Sequence, residues 1–337
     1  MFLECLKKGV PMKKVVISEK INEAGIKHLE KAGFEVIISP SIDAEGMKSV
    51  ITDAYGLIMR STKLSNEVIE AGKELKIISR NGTGVDNVDV NLATKKNVLV
   101  AKVDGANAYS VAEYVITAIL TLSRRIMKSD QFFKAGKLSR PGESLPGLAD
   151  KLDLNGHEIR NKVLGIIGLG KIGTIVAKLA TSLGMKVIAF DPYVKQSNIT
   201  LIDSKESILK EADFISLNLP YTEKTKNFIG KKELEAMNQT AFLINSSRGG
   251  IVNEEALAEA LNNEEIAGAA LDVFRPEPPA KDSPLLTAKN ILLTAHIGGT
   301  TEEASAAIGL GAAQAIIDYA NGKMPEFTVN PEVFGKS

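Results

Sequence analysis

Residues 163–191, VLGIIGLGKIGTIVAKLATSLGMKVIAFD, decide the fold. An apolar run, Val163 to Ile167, leads straight into Gly168-Leu-Gly170-Lys-Ile-Gly173, and the segment that follows carries Val176, Leu179 and Leu183 at helical spacing. Strand, glycine turn and helix in that order make a cradle for phosphate. The first glycine permits a tight turn, the second lets a pyrophosphate approach the backbone, and the third lets helix and strand pack closely. Glycines can mark no more than a turn, but the next strand, KVIAF, ends at Asp191, 18 residues after Gly173. Its carboxylate is suited to accept hydrogen bonds from adenosine ribose hydroxyls and to repel a 2′-phosphate, so NAD is expected over NADP. A methyltransferase is the competing reading.

Working outward, five short β-branched runs precede this stretch: VVIS at 15, EVIIS at 35, GLIMR at 56, LKIIS at 75 and VLVA at 98, their starts 19 to 23 residues apart. A second series begins at 163, 186, 214, 241, 268 and 291. Strands alternating with helical spacing predict parallel sheets, and the six strands of the second series predict a doubly wound one. That strand count, with the third glycine, weighs against the methyltransferase. Between the series lies SVAEYVITAILTLSRRIM, where Ser110 and Glu113 fit a capping box and predict a helix starting near 110. Thr300 and Glu303 fit another, opening a helix that stops at Asn321-Gly322. If these helices are the crossovers, one domain comprises 12–105 and 302–337, the other 106–301, with a cleft between them.

Composition narrows the classes. A chain of 337 residues suggests two domains, and 44% hydrophobic with 24% charged residues excludes a disordered or fibrous chain. Lys plus Arg equals Asp plus Glu at 41 each, without blocks of like charge, which gives no support to a nucleic-acid or anionic-membrane surface. One cysteine, Cys5, makes neither an internal disulfide nor a metal cluster, and no metal site is expected. With no membrane span or signal peptide legible, a cytoplasmic protein is expected. Residues 1–11 read as an upstream extension without chemistry, because Met12 is followed at once by the first strand.

Three histidines make the search for a proton carrier short. His28 falls mid-helix and is expected to be solvated; His157 falls in a polar loop. His296 follows the strand ILLTA, at the carboxyl end where ligands bind in open α/β sheets. Arg248, in NSSRGG, and Glu277, in FRPEPP, occupy equivalent strand ends. A structural histidine and two solvated loop charges are the plain alternative. Together the three supply an acid, a base and an anion clamp on one sheet edge.

With GTGVDNVD (82–89), ANAYSVAEY (106–114), LPYTEKT (219–225), NSSRGGIVNEEAL (245–257), LDVFRPEPP (271–279) and TAHIGGTTEEA (294–304), the chain resembles the D-isomer-specific 2-hydroxyacid dehydrogenases, and among them the D-3-phosphoglycerate dehydrogenase branch. The resemblance runs from Met12 onward. It implies a Rossmann NAD-binding domain inserted into a flavodoxin-like substrate domain, and a homodimer through the NAD domains. It implies that Arg248, Glu277 and His296 are catalytic, that Lys171 and Ile172 contact the pyrophosphate, and that Asp191 takes the ribose. Leu219, Ser246 and Asp272 would lie on the nicotinamide side, Gly298 would join the cofactor set, and Thr83 and Gly84 would close over substrate and nicotinamide. Ala295 stands where proline often precedes the histidine, and Asn81 where alanine is common. Serine feedback control, a property of some longer members, is expected to be absent.

The implied reaction transfers hydride between substrate C2 and the nicotinamide. Arg248 would bind the carboxylate and carbonyl oxygen, His296 would exchange the hydroxyl proton, and Glu277 would hold His296 and favour its protonated form. Arg60, Lys63 and Arg80 sit after the third and fourth strands, where they match the phosphate side of the phosphoglycerate branch. They put 3-phosphoglycerate ahead of hydroxypyruvate, glyoxylate and other unphosphorylated acids. Solvent exposure is the commoner fate of such cations. An NAD-sensing corepressor that binds without turnover is the reading from another class.

Overall fold

The computed structural model describes residues 12–335. The expectations for residues 1–11, Cys5 among them, lie outside the described residues. The chain falls into two compact units: the described residues up to Asn107 together with those from Thr301 onward, and Ala108–Thr300.

In the first unit, β1 (Lys14–Ile17), α1 (Glu23–Lys31), β2 (Glu35–Ile38), α2 (Ala44–Ile51), β3 (Gly56–Met59), α3 (Asn66–Ala71), β4 (Ile77–Arg80), α4 (Val90–Lys95) and β5 (Leu99–Lys102) alternate. The strands pair in parallel in the order β2-β1-β3-β4-β5, the flavodoxin-like order. Successive positions within the inner strands are apolar because both faces of the sheet are covered. Ile58 and Ile77 enter the core on one side, Leu57 and Ile78 the core on the other.

The second unit contains α5 (Ala108–Ser123), α6 (Ile126–Lys134), α7 (Leu145–Lys151), β6 (Val163–Ile167), α8 (Lys171–Ser182), β7 (Lys186–Phe190), β8 (Thr200–Leu201), α9 (Lys205–Glu211), β9 (Phe214–Leu217), α10 (Lys231–Glu235), β10 (Phe242–Asn245), α11 (Glu254–Asn262), β11 (Gly268–Leu271) and β12 (Ile291–Leu293). The chain then returns to the first unit through α12 (Glu302–Ala320). There Ala312, Ala313 and Ile316 cover one face of the first sheet, and Ser79 donates to Ala312 O at 2.9 Å.

The seven strands of the second sheet are parallel, in the order β12-β11-β10-β9-β6-β7-β8. From β6 the chain winds outward to β8, then crosses back to β9 and winds the other way. This is the doubly wound Rossmann arrangement, with its switch point between β6 and β9. Along α5, Ala112, Val115, Ile119 and Leu122 form the stripe that packs on one face.

Four local expectations need correction. The second sheet has seven strands, not six, because β8 is a two-residue edge strand whose side chains are exposed and half-buried and so carries no apolar signature. The first crossover helix starts at Ala108, not near 110: Gly105, at φ 82°, turns the chain earlier and leaves Ser110 inside the first turn. The second is capped by Thr301, whose side chain accepts from Ala304 N, not by Thr300. His28 is half-buried rather than solvated, with Nε2 2.8 Å from Gln314 Oε1.

Candidate active site

The glycine turn is tight at two of its three glycines. Gly168 has φ 95°, and a Cβ there would lie 2.4 Å from Asn218 O; at Gly173 a Cβ would lie 2.2 Å from Gly168 O. At Gly170 it would meet nothing within 4 Å. Gly170 is also the N-cap of α8 and has no side chain to take up a first-turn amide, so the start of this helix suits an anion. Exposed Lys171 and half-buried Ile172 open that helix.

Asp191, just past β7, accepts from Leu169 N through Oδ2 and from Tyr193 N through Oδ1, both at 2.9 Å. A carboxylate accepts about four hydrogen bonds, so it braces the glycine turn with capacity left for a diol. Leu219 follows β9, half-buried, and Ser246 follows β10 with its Oγ buried and without a partner. Open space over a helix start, an acceptor at the end of β7 and an unpaired buried hydroxyl fit a dinucleotide along the carboxyl ends of β6, β7, β9 and β10.

Arg248, Glu277 and His296 follow β10, β11 and β12, three consecutive strands of the sheet. The loop of Arg248 is held by Asn245 Nδ2, which donates to Arg248 O at 3.0 Å, and Arg248 Nη1 donates to Ser247 O at 2.7 Å. Gly249 lets that loop touch the next one, since a Cβ there would lie 1.9 Å from Phe274 O. Glu277 Oε2 accepts from Phe274 N at 3.2 Å, while Oε1 lies 2.6 Å from His296 Nδ1. Phe274 thus anchors both loops, and the imidazole is oriented through Nδ1 with Nε2 directed elsewhere. Both side chains are partly open, His296 at 50% and Glu277 at 40% exposure, which leaves room for a reactant.

His296 sits at φ 55°, an uncommon conformation for a residue with a side chain. Asp272, 1% exposed, holds it there. Its Oδ1 accepts from Thr294 Oγ1 at 2.5 Å and Ile297 N at 2.9 Å, and its Oδ2 from Gly298 N at 2.7 Å. Tyr114 OH lies 2.7 Å from Thr294 Oγ1. Burial pushes the Tyr114 phenol up to about 12, so it remains a donor at neutral pH. The Thr294 and Tyr114 contacts escape sequence reasoning, because 180 residues separate the two.

The remaining expected site residues belong to the first unit. Arg60 is exposed and reaches Lys20 O at 3.4 Å; Lys63 is exposed as well. Arg80 braces its own loop, donating to Asn87 Oδ1 at 3.2 Å and Asn81 O at 2.6 Å. Thr83 and Gly84 are half-buried in that loop. Among the described residues no cluster of metal ligands occurs, and no helix is long and apolar enough to cross a membrane.

Comparison with known proteins agrees with this architecture. Residues 116–298 match the model of the D-isomer specific 2-hydroxyacid dehydrogenase NAD-binding domain. A provisionally named 2-hydroxyacid dehydrogenase of Staphylococcus aureus is 38% identical over 95% of this chain and 100% of its own length. The chain belongs to the D-isomer specific 2-hydroxyacid dehydrogenase family. The D-3-phosphoglycerate dehydrogenase of Methanocaldococcus jannaschii is 39% identical over 95% of this chain. This family member spans only 60% of that relative and 52% of a chloroplast one from Arabidopsis thaliana. Among solved structures, the NAD-dependent formate dehydrogenase of Staphylococcus aureus in complex with NAD aligns over 92% of the chain and 96% of its own, with TM-score 0.78 and 29% identity. A Thermus thermophilus protein covers 94% and 99%, with TM-score 0.85 and 28% identity. The glycine turn, Asp191, Asp272 and His296 therefore lie in the family's NAD-binding domain.

Proposed function

We propose that this family member is an NAD-dependent D-2-hydroxyacid dehydrogenase whose substrate is 3-phosphoglycerate, oxidised at C2 to 3-phosphohydroxypyruvate. The observation that carries the dehydrogenase reading is the 2.6 Å contact of His296 Nδ1 with Glu277 Oε1, one strand away from Arg248, and the choice of substrate is supported by the 39% identity to a D-3-phosphoglycerate dehydrogenase. Bound NAD would supply the hydride acceptor for oxidation and, in reduced form, the donor for reduction. Gly168, Gly170, Lys171, Ile172 and Gly173 would hold its pyrophosphate, Asp191 its ribose, and Leu219, Ser246, Asp272 and Gly298 would border the nicotinamide. Arg248 binds the substrate carboxylate and carbonyl oxygen through its planar fork. His296 Nε2 takes the C2 hydroxyl proton on oxidation and returns it on reduction, while Glu277 keeps the ring oriented and favours the imidazolium. By the family resemblance, Thr83 and Gly84 would contribute to substrate and nicotinamide binding.

Steady-state oxidation of NADH and NADPH over a panel of 2-oxo acids tests the reading. Turnover preferring NADH is the expected result. Preference for NADPH would refute the role of Asp191, and no turnover on any acid would favour NAD-dependent binding of a protein partner, as in a corepressor.

Phosphate recognition rests on Arg60 and Arg80. Arg60→Ala with Arg80→Ala is expected to cut kcat/KM for phosphohydroxypyruvate at least tenfold more than for hydroxypyruvate, since charge-assisted hydrogen bonds contribute about 1.5–3 kcal/mol each. An equal fall for both acids would leave a hydroxypyruvate or glyoxylate reductase. The reading includes a homodimer through the NAD domains, supported by α6, which has no buried residue and exposes Ile126 and Phe133 by 53% and 50%. Sedimentation at micromolar concentration should give twice the chain mass, and Phe133→Asp should halve it. A single cysteine in 337 residues suits a cytoplasmic setting.

A further inference from the structure

We propose that Tyr114 and Thr294 form a one-way hydrogen-bond relay onto Asp272, making Tyr114 a positioning residue for His296. The inference rests on the proposed role of His296 in proton transfer. Thr294, Ile297 and Gly298 flank His296 on both sides, and all three donate to the same carboxylate, at 2.5, 2.9 and 2.7 Å. Asp272 therefore brackets the left-handed backbone of His296 from within the sheet.

Direction follows from proton counting. A hydroxyl has one proton, and Thr294 gives its own to Asp272, so the 2.7 Å contact with Tyr114 is filled by the phenol proton. The relay runs Tyr114 O–H to Thr294 O–H to Asp272, and the tyrosine fixes the rotor of the threonine. Packing reinforces the arrangement. A Cβ at Gly298 would lie 3.0 Å from Asp272 Oδ2 and 3.3 Å from the Tyr114 ring, so the glycine after the histidine lets tyrosine and carboxylate close on the loop. Tyr114 and Thr294 themselves have no part in the proposed chemistry. They act through the register of the backbone that carries His296.

Tyr114→Phe removes the phenol oxygen and keeps the ring, so packing is preserved. The experiment measures kcat and KM for 2-oxo acid reduction, NADH affinity by fluorescence titration, and the downfield proton resonance of the His296 Nδ1–H held by Glu277, identified by its loss in Glu277→Gln. Tyr114→Phe is expected to lower kcat by roughly three- to tenfold, the equivalent of one neutral hydrogen bond, with NADH affinity unchanged and the His296 resonance broadened. Thr294→Val should do the same, Thr294→Ser should restore wild-type behaviour, and Tyr114→Phe with Thr294→Val should be no worse than Thr294→Val alone. Independent effects in the double variant, or an unaltered His296 resonance in Tyr114→Phe, would overturn the relay. If the wild type reduces no 2-oxo acid, the dehydrogenase reading fails, and the resonance alone still decides whether Tyr114 positions His296.

Discussion

Replacing His296 with alanine is expected to lower the rate of 2-oxo acid reduction by about 10²- to 10⁴-fold, the range typical for a general acid–base residue. The proton would have to come from water, with no group oriented to deliver it. Because the imidazole reaches the end of β12 while the glycine turn and Asp191 lie at the ends of β6 and β7, NADH affinity should change little. A near-normal rate with intact cofactor binding would remove His296 from the chemistry. It would also leave the Glu277 contact without a catalytic purpose.

The second large effect is expected from Arg248→Ala, on the order of 10²- to 10³-fold in kcat/KM, as when a preorganised donor to a developing oxyanion is removed. Arg248→Lys should recover only a small part of this, because an ammonium is a point charge and cannot make two parallel bonds to a carboxylate. The arginine is placed by a short-range scaffold: Asn245 grips its carbonyl, its own Nη1 binds Ser247 O, and Gly249 presses the loop against Phe274. Full activity of the lysine variant would argue that only charge matters at this position.

The reach of the sequence follows physical lines. Strands buried on both faces, such as Leu243 and Ile244 pointing into opposite cores, are apolar at successive positions and stand out. Thr200–Leu201 does not, because an edge strand of two residues has little to bury. Capping boxes located two helices to within two residues, and the error at Thr300 arose because the adjacent Thr301 makes the same bond with Ala304 N. The residues at the strand ends were legible because glycines, prolines and charges cluster where loops must turn. Tyr114 was not, since a tyrosine on an apolar helix reads as core, and only the folded sheet brings it to Thr294.

The division of the first unit into two stretches of chain bears on its synthesis. β1 to β5 leave the ribosome first, together with α1, but α12, which shares one face of their sheet with α1, is translated only after all of Ala108–Thr300. Val15, Ile17, Ile58 and Ile77 must wait for Ala312 and Ile316, whereas the inserted unit has its entire core in hand beforehand. The later-made unit therefore completes its folding before the earlier-made one. Until residue 316 emerges, a half-covered parallel sheet is the part of the nascent chain most exposed to aggregation and most in need of chaperones.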